Sequence, residues 1–389
     1  MVDFLRRSWA VVDLDCIDYN IRSIKQKLKP GCMIMGVVKA DAYGHGDKYI
    51  ADELVRLGVN WFAVSNLTEA MSLRNQGIYH PILILGTTPP NKAKQLCEYN
   101  ITQAVFSLEY AKKLQQQAQR AGVTVACHIK VDTGMSRLGY LCDGDYFENG
   151  VEGICEGCSL PGLDAEGIFT HFAVSDEPGE QCHAYTEHQF QLFTDVIKQV
   201  EDRLGRPFRI RHCANTGAVA RYPETCLDMV RPGLLLYGYG EFAEELNLKP
   251  VMSLKTTVST IKIYPSGTAI SYGGIYVTPH KTRIGVIPYG YADGFFRCLS
   301  NKCSIMTSEG PAPQRGKICM DMCMIDLTDK MGVDVGSEVE IFGKQNSIND
   351  LAALAGTIPY ELTCAVSKRV PRIYYRDGKV IEKELLLRG

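Results

Sequence analysis

The chain has 389 residues, a formal net charge of -2 and 22% charged residues, which excludes a largely disordered protein and a basic nucleic-acid-binding protein. No apolar run reaches the roughly 18 residues that span a membrane, and the first residues, MVDFLRRSW, lack the apolar core of a secretion signal. Fifteen scattered cysteines, including a CxxC pair without a second pair at zinc spacing, indicate reduced thiols. We therefore expect a cytoplasmic protein without a metal, nucleic-acid or membrane partner.

Short, apolar, β-rich runs alternate with amphipathic helical stretches between about residues 32 and 235. Eight runs read MIMGVVKA, WFAVS, ILILG, ITQAVF, VACHIKVD, AEGIFTHF, RIRHCAN and LDMVRPG. The helical stretches include Asp47–Gly58, Leu67–Gly77, Ser107–Gly122 and Thr186–Leu204. This alternation predicts parallel βαβ units, and eight units predict a (β/α)8 TIM-type barrel. A doubly wound open sheet is the alternative, although no GxGxxG motif follows the first strand.

The pattern changes after Leu248, where strand-like segments dominate. They are Met252–Ile263, Thr268–Thr278, Ile284–Ala292, Lys317–Leu327 and Glu338–Phe342, and only Ile348–Ala355 has a helical pattern. The fold class is therefore α/β, a barrel followed by a C-terminal mostly-β domain. We place the barrel at residues 15–248 and the β domain at 249–389. Residues 1–14 form an N-terminal strand that we expect to pair with the β domain.

Polar residues follow several of the predicted barrel strands. Because active sites of such barrels lie at the carboxyl ends of the strands, these residues are candidates for one site. After strands one, five, six, seven and eight they include Lys39, Lys130, Arg137, His171, Asn215, Thr216, Arg231 and Gly233.

Lys39 and the last two strand ends suggest a cofactor. A lysine behind the buried run Gly36-Val37-Val38 is poorly solvated, which favours the neutral amine that attacks an aldehyde; a lysine that snorkels to solvent is the alternative. Asn215-Thr216-Gly217 and Arg231-Pro232-Gly233 lie where barrels commonly bind phosphate, although N-capping by Thr216 and a plain turn also explain them. A reactive lysine beside a phosphate site suggests pyridoxal 5'-phosphate (PLP).

Seven motifs resemble the alanine racemase family and occur in that family's order, between about Arg7 and Arg372. They are VVKADAYGHG, HIKVDTGMSRLG, THFA, VRPGLLLYG, SYGGIY, GYADG and ICMD. The resemblance implies a PLP-dependent enzyme that interconverts L-alanine and D-alanine for peptidoglycan synthesis. It also implies a head-to-tail homodimer with shared active sites.

The resemblance further implies two catalytic bases. Lys39 would bind the cofactor covalently and act on one face of the substrate Cα. Tyr272 would act on the opposite face from the partner subunit, with His171 as its hydrogen-bond partner. Arg231 would face the pyridine nitrogen; because arginine only donates hydrogen bonds, that nitrogen would stay unprotonated. The electron sink would then be weak and side reactions such as transamination would be suppressed.

The same resemblance implies the remaining site residues. Contacts to the cofactor are expected from Tyr43, Arg137, Asn215, Thr216, Gly233, Leu234 and Lys368. The substrate carboxylate is expected to meet Arg137 and the backbone N–H of Met320. Lys130 matches a lysine that some members carbamylate to hold Arg137. Residues that match a substrate corridor, or are simply solvated surface groups, are Asp176, Tyr291, Arg297 and Arg315.

One position departs from the family. The C-terminal run reads Ser367-Lys368-Arg369-Val370-Pro371-Arg372, where the family usually has tyrosine in place of Lys368. Loss of an aromatic wall leads us to expect better acceptance of serine or other small polar amino acids. A barrel-type PLP decarboxylase, a PLP-holding binding protein and the catalytic part of a membrane-anchored serine racemase are the rival functions. Arg231, the β domain and the absence of apolar spanning runs count against them in turn.

Overall fold

The computed structural model describes residues 7–240 and 242–384. The chain divides into two compact units, which are described separately. The barrel unit comprises Ile21–Ala42 and Asp47–Leu236. The β unit comprises Met1–Asn20, Tyr43–Gly46 and Tyr237–Gly389.

Eight parallel strands form the barrel, and each predicted run contains one of them. They are β1 (Met33–Val37), β2 (Trp61–Val64), β3 (Ile82–Ile84), β4 (Thr102–Val105), β5 (Val125–Asp132), β6 (Leu163–Phe169), β7 (Ile210–His212) and β8 (Met229–Val230). Each strand pairs with the next up to β7, and β8 pairs with β1. Two backbone hydrogen bonds close the circle between β7 and β8, from Asp228 N to Arg211 O (3.0 Å) and from Arg231 N to Ala214 O (2.9 Å). The predicted (β/α)8 barrel is confirmed.

Helices connect the barrel strands and cover them. Every residue of β2, β3 and β4 is buried, as expected for parallel strands that are covered on both faces. Asn66 and Ser107 accept hydrogen bonds at two helix N-termini, and Gly122 ends a helix in the left-handed conformation. The α-helices up to residue 237 are Leu14–Lys27, Asp47–Arg56, Leu67–Asn75, Ala93–Glu98, Leu108–Ala121, Phe147–Cys158, Glu180–Leu204, Thr216–Arg221 and Leu234–Tyr237. Among the described residues, none of these or the later helices combines the length and apolarity required to cross a bilayer.

A ten-stranded sheet dominates the β unit. Its strands, in spatial order, are Thr260–Tyr264, Thr282–Ile287, Cys323–Asp326, Gly310–Arg315, Ser304–Thr307, Glu338–Phe342, Met252–Thr257, Ser8–Asp13, Arg372–Arg376 and Lys379–Glu384. The N-terminal strand pairs antiparallel with Met252–Thr257 and parallel with Arg372–Arg376. The α-helices of this part are Phe242–Glu245, Ile348–Ala355 and Pro359–Ala365. The predicted domain boundary at 248/249 stays a prediction.

Several β-unit elements differ from the sequence-based expectation. The expected strand Met252–Ile263 is two strands, and Thr268–Thr278 is a short hairpin, Ala269–Ile270 with Tyr276–Val277, around a 3-10 turn at Tyr272–Gly274. Only Cys323–Asp326 of the expected strand Lys317–Leu327 is strand. The strand Gly310–Arg315 was missed because its two prolines are unfavourable in sheet interiors and obscure the pattern.

Candidate active site

Lysine, arginine and histidine side chains converge at the carboxyl ends of the barrel strands. Lys39 follows β1, Lys130 lies near the end of β5, His171 follows β6 and Arg231 follows β8. Lys130 is buried, with its ammonium 5.7 Å from the ring centroid of Phe169. Burial, followed by the charges of Arg137, Arg231 and Lys39, lowers the pKa of Lys130 to about 8, while Asp132 opposes this shift. The structure therefore brings these sequence-predicted residues of the barrel into one electropositive site.

Arg231 lies at the centre of this site with 4% of its surface exposed. Its Nη2 donates to the carbonyl oxygens of Thr170 (2.7 Å) and Cys213 (3.0 Å) and lies 3.3 Å from Nδ1 of His171. Its Nη1 donates to Nδ1 of His212 at 2.9 Å. Burial lowers the pKa of Arg231 to about 10, so the guanidinium remains charged at neutral pH. Among the described residues Arg231 forms no hydrogen bond with a carboxylate. It is therefore suited to bind a ligand atom that accepts hydrogen bonds.

His171 is neutral in this environment. Burial, and then the charges of Arg231, Arg137, Lys130 and Lys39, hold the pKa of its imidazole well below the usual range. Because a guanidinium only donates, Nδ1 of His171 accepts from Arg231. The proton of the neutral ring is therefore on Nε2, which is a hydrogen-bond donor.

Thr216 and Gly233 meet at the ends of β7 and β8. Thr216 Oγ1 accepts from the backbone N–H of Gly233 at 3.1 Å. Asn215, not Thr216, caps the helix Thr216–Arg221, because its Oδ1 accepts from Ala218 N at 3.1 Å. A Cβ at Gly217 would lie 2.6 Å from the carbonyl oxygen of Ser175, so only glycine fits there. The Thr216 hydroxyl is thereby not required for capping, and it lies beside the glycine amide in a tight cradle.

A left-handed turn follows Lys39. Ala40, Asp41, Ala42 and Tyr43 all have φ between 50° and 56°. Such a conformation costs about 1–2 kcal/mol for each residue with a side chain. The turn is held by hydrogen bonds from Ala40 N to Glu69 Oε1 (3.0 Å), from Asp47 N to Asp41 Oδ1 (2.9 Å) and from Ala42 N to Val38 O (2.9 Å). The sequence offered no signal for it, because alanine rarely adopts this conformation.

We expect Ala40→Gly to stabilise the protein. Ala40 is exposed, so its methyl group contributes little packing, whereas glycine removes the left-handed strain. Relief of about 1–2 kcal/mol, set against the 0.5–1 kcal/mol entropic cost of glycine, leaves a net gain of up to about 1.5 kcal/mol, which should raise the denaturant midpoint. Ala121→Gly, in an exposed right-handed helix position, is the matched control and should lower the midpoint. A decrease for both variants would contradict the assignment of strain to Ala40.

Tyr272 and Met320 lie together in the β unit. Both line a cavity of about 530 Å³ whose other walls include Tyr264, Ile270, Ile284, Cys319 and Met324. Tyr272 is 67% exposed and Met320 is 52% exposed. Large apolar groups exposed on a concave surface indicate a binding surface.

The backbone beside Tyr272 is strained. Ser271 has φ 65° and ψ -176°, a region that residues with a side chain rarely occupy. Its Oγ donates to the carbonyl oxygen of Lys317 at 2.7 Å and lies 3.6 Å from Sγ of Cys319. These contacts tie the Tyr272 turn to the segment that carries Met320.

A buried carboxylate anchors the Met320 segment from its other side. The Asp293 side chain is fully buried and accepts from Arg7 Nη1 (3.0 Å) and from Arg369 Nε (2.7 Å). Arg369 also bonds the carboxylate of Asp321 at 2.8 Å. The carbonyl of Met320 accepts from Ala292 N at 3.0 Å. Asp293 belongs to the GYADG motif, but no local sequence pattern predicts its pairing with Arg7 and Arg369.

Other predicted residues are placed within single units. In the β unit, the Tyr43 ring lies 5.2 Å from that of Tyr237 and 5.5 Å from that of Tyr360, and Lys368 is exposed. Their cofactor contacts stay predictions, as does the corridor of Asp176, Tyr291, Arg297 and Arg315. Leu234 begins the helix Leu234–Tyr237.

Comparison with known proteins follows the same division of the chain. The family described as alanine racemase, N-terminal domain, matches residues 12–241, and the family described as alanine racemase, C-terminal domain, matches residues 251–374. "Alanine racemase 2" of Caldanaerobacter subterraneus subsp. tengcongensis is 42% identical over 98% of each chain. The alanine racemase of Clostridium novyi is 41% identical, covering 98% of this chain and 99% of the relative.

Solved structures of alanine racemases are also similar to this chain over nearly its whole length. The structure described as alanine racemase of Clostridium difficile 630 has a TM-score of 0.92 and 35% identity, covering 99% of this chain and 100% of that one. The alanine racemase of Bacillus anthracis with bound L-Ala-P has a TM-score of 0.89 and 33% identity over 98% of each chain.

Proposed function

Because the chain belongs to the alanine racemase family, we propose that it is a PLP-dependent enzyme that interconverts L-alanine and D-alanine. The observation that carries the proposal is the electropositive barrel site, in which buried Arg231 keeps its charge without a carboxylate partner among the described residues. We further propose that it supplies D-alanine for peptidoglycan. The number and scatter of its free cysteines support a reducing, cytoplasmic location.

The barrel residues fit PLP. Lys39, at a strand end, would hold the aldehyde carbon, the cradle of Thr216 and Gly233 would hold the phosphate, and Arg231 would donate to the pyridine nitrogen. When bound, PLP supplies an electron sink that makes the Cα–H of a joined amino acid acidic.

Racemisation needs two proton-transfer groups, because the proton leaves one face of Cα and returns to the other. Lys39 serves one face. We propose that Tyr272 of the partner subunit serves the other, in a homodimer with shared sites. Tyr272 is largely exposed, and within the described residues its side chain has no hydrogen-bond partner, which is consistent with a role outside its own unit. The Nε2–H of His171 is a suitable donor to its phenolate oxygen.

The chemistry of Arg231 favours a racemase over a decarboxylase. A guanidinium cannot accept a hydrogen bond, so Arg231 would leave the pyridine nitrogen of bound PLP unprotonated and would keep the electron sink weak. A decarboxylase of this architecture needs an acidic partner at that nitrogen. The hydrogen bonds of Arg231 go to carbonyl groups and imidazoles instead.

Lys130 supports the position of Arg137 in this proposal. With a pKa lowered to about 8, part of its amine is neutral in mildly alkaline solution and able to add CO2, forming a carbamate and releasing one proton. The carbamate would carry a negative charge among Lys39, Arg137 and Arg231. Arg137 would then be held to receive the substrate carboxylate.

The test of the proposed function is chiral chromatography of alanine after incubation with PLP-loaded protein. L-Alanine should become an equal mixture of both enantiomers, and D-alanine should give the same mixture. A protein that binds PLP, seen by its visible absorbance band, but leaves both enantiomers of alanine and serine unchanged would contradict the racemase proposal and favour decarboxylation or PLP carriage.

The same assay tests the effect of Lys368. If the lysine widens the pocket for polar side chains, Lys368→Tyr should lower the serine-to-alanine ratio of kcat/KM by about tenfold, the range typical of one small steric change. Lys344→Tyr, another exposed lysine of the β unit, is the control. An unchanged ratio for Lys368→Tyr would remove the argument for a serine preference.

A further inference from the structure

A histidine that is not part of the site described above is buried inside the barrel. His128 is on β5, fully buried, and its ring centroid lies 5.2 Å from that of Trp61 on β2. Its Nδ1 lies 2.8 Å from Nε2 of His212, whose own Nδ1 accepts from Arg231. The three side chains form a continuous line of hydrogen bonds that leads from the Arg231 guanidinium into the barrel interior.

The barrel is shaped around this imidazole. His128 faces Gly167 across the β5–β6 ladder, next to a register shift. A Cβ at Gly167 would lie 2.6–2.7 Å from three atoms of the His128 ring, so no other residue fits. Barrel interiors are normally filled by branched apolar side chains, and an imidazole that requires a glycine opposite it is therefore a specific feature.

The donor and the acceptor of each hydrogen bond follow from the fact that arginine only donates and that both histidines are neutral. Arg231 only donates, so His212 Nδ1 accepts, and a neutral His212 carries its proton on Nε2. Burial, and then Arg231, keep the pKa of His212 well below the usual range. His212 therefore donates to His128 Nδ1, and neutral His128 carries its proton on Nε2. Burial, Arg231 and Arg209 lower the pKa of His128 to about 3.

The row of hydrogen-bonded side chains formed by Arg231, His212 and His128 ends near the carboxylate of Glu166. Nε2 of His128 is buried without a hydrogen-bond partner among the described residues and lies 3.8 Å from Oε1 of Glu166. Glu166 accepts from Thr102 Oγ1 (3.0 Å) and from Arg209 Nη2 (3.3 Å). A carboxylate at this end favours the Nε2–H form of His128, the same form that Arg231 demands from the other end.

We propose that His128 is a positioning residue for Arg231: as the acceptor for His212 it locks both imidazoles in the Nε2–H form and holds the guanidinium in one orientation. Without that acceptor, the buried Nε2–H of His212 would be left without a hydrogen-bond partner, which is unfavourable for a buried polar group. His212 would then turn or shift its proton to Nδ1, against the N–H of Arg231. The consequence for catalysis rests on the proposed function, in which Arg231 faces the pyridine nitrogen.

Three variants test this proposal. His128→Leu removes the acceptor and keeps an apolar side chain of similar size. His128→Asn can present Oδ1 near the position of Nδ1 and restore the acceptor. His188→Leu, an exposed histidine of the same unit, is the control. Circular dichroism establishes that each variant is folded.

The first readout is independent of activity. In full-length holoenzyme labelled with ¹⁵N-histidine, His128 and His212 should both show an unprotonated Nδ1 and a protonated Nε2 across the neutral pH range, with assignments made from variants at each position. In His128→Leu the His212 signals should change tautomer or titrate, and in His128→Asn they should resemble the wild type. A wild-type His212 with its proton on Nδ1 would overturn the proposal even if the enzyme racemises alanine.

The second readout is the rate at which alanine is racemised and the amount of pyruvate formed from it. For His128→Leu we expect kcat to fall about tenfold with KM changed less, as for a lost buried hydrogen bond. Pyruvate formed per racemisation should rise, with the amino group of alanine transferred to the cofactor as pyridoxamine 5'-phosphate, because a displaced Arg231 would allow the ring nitrogen to be protonated. His128→Asn should restore both values. Wild-type values in His128→Leu, or a loss that His128→Asn shares, would overturn the positioning role, whereas a wild-type protein that does not racemise contradicts the proposed function instead.

Discussion

Lys39→Ala should abolish racemisation of alanine in both directions and remove the visible absorbance band of bound PLP. The lysine is assigned two tasks, holding the cofactor through its aldehyde and transferring a proton at Cα. General acid–base groups alone contribute about 10²–10⁴-fold, and loss of covalent attachment adds to this, so we expect at least a thousandfold decrease in kcat/KM. Chiral chromatography and absorbance spectra of the purified variant measure the two effects.

The control for this prediction is Lys94→Ala, because Lys94 is an exposed lysine of the same unit. It should keep both the absorbance band and the activity. Substantial racemisation by Lys39→Ala would place the cofactor-binding lysine elsewhere; Lys130, the buried lysine of the same cluster, would be examined next.

Tyr272→Phe should lower kcat for racemisation by about a thousandfold and leave PLP binding intact, because it removes a proton-transfer group but no cofactor contact. The two-base proposal adds a sharper expectation. In deuterated water, the variant should still exchange the Cα–H of one enantiomer, the one served by Lys39, without inverting it. The other enantiomer should neither exchange nor invert, as measured by proton NMR and chiral chromatography.

Tyr79→Phe, at a tyrosine that is 85% exposed, should behave as the wild type. Equal exchange of both enantiomers by Tyr272→Phe would mean that a single group serves both faces of Cα. The assignment of Tyr272 as the second base would then be wrong, although the PLP site of the barrel would remain.

Backbone strain lies next to both proposed bases. The left-handed turn Ala40–Tyr43 follows Lys39 directly, and Ser271 precedes Tyr272. Each strained segment is held by hydrogen bonds from outside it, Glu69 at the first and Lys317 at the second. Strain that the surrounding structure maintains is typical of functional sites, where it fixes the direction of a side chain.

The sequence by itself determined the barrel and most of the residues assigned to the site. Eight apolar runs at βαβ spacing specify eight parallel strands, since each run must be buried on both faces. Polar residues just after those runs, such as Lys39 and Arg231, are then brought to one end of the barrel by its topology alone. The separate motifs around Tyr272 and Met320 were likewise readable as a family pattern.

Only the tertiary structure decided the interactions between residues far apart in sequence. The line from Arg231 through His212 to His128 joins three strands, and the clamp of Arg7 and Arg369 on Asp293 joins three distant segments. No local pattern encodes such pairs, because hydrogen bonds between buried polar groups depend on the positions that packing gives them. The same applies to the left-handed turn after Lys39, where tertiary contacts outweigh the intrinsic backbone preference of alanine.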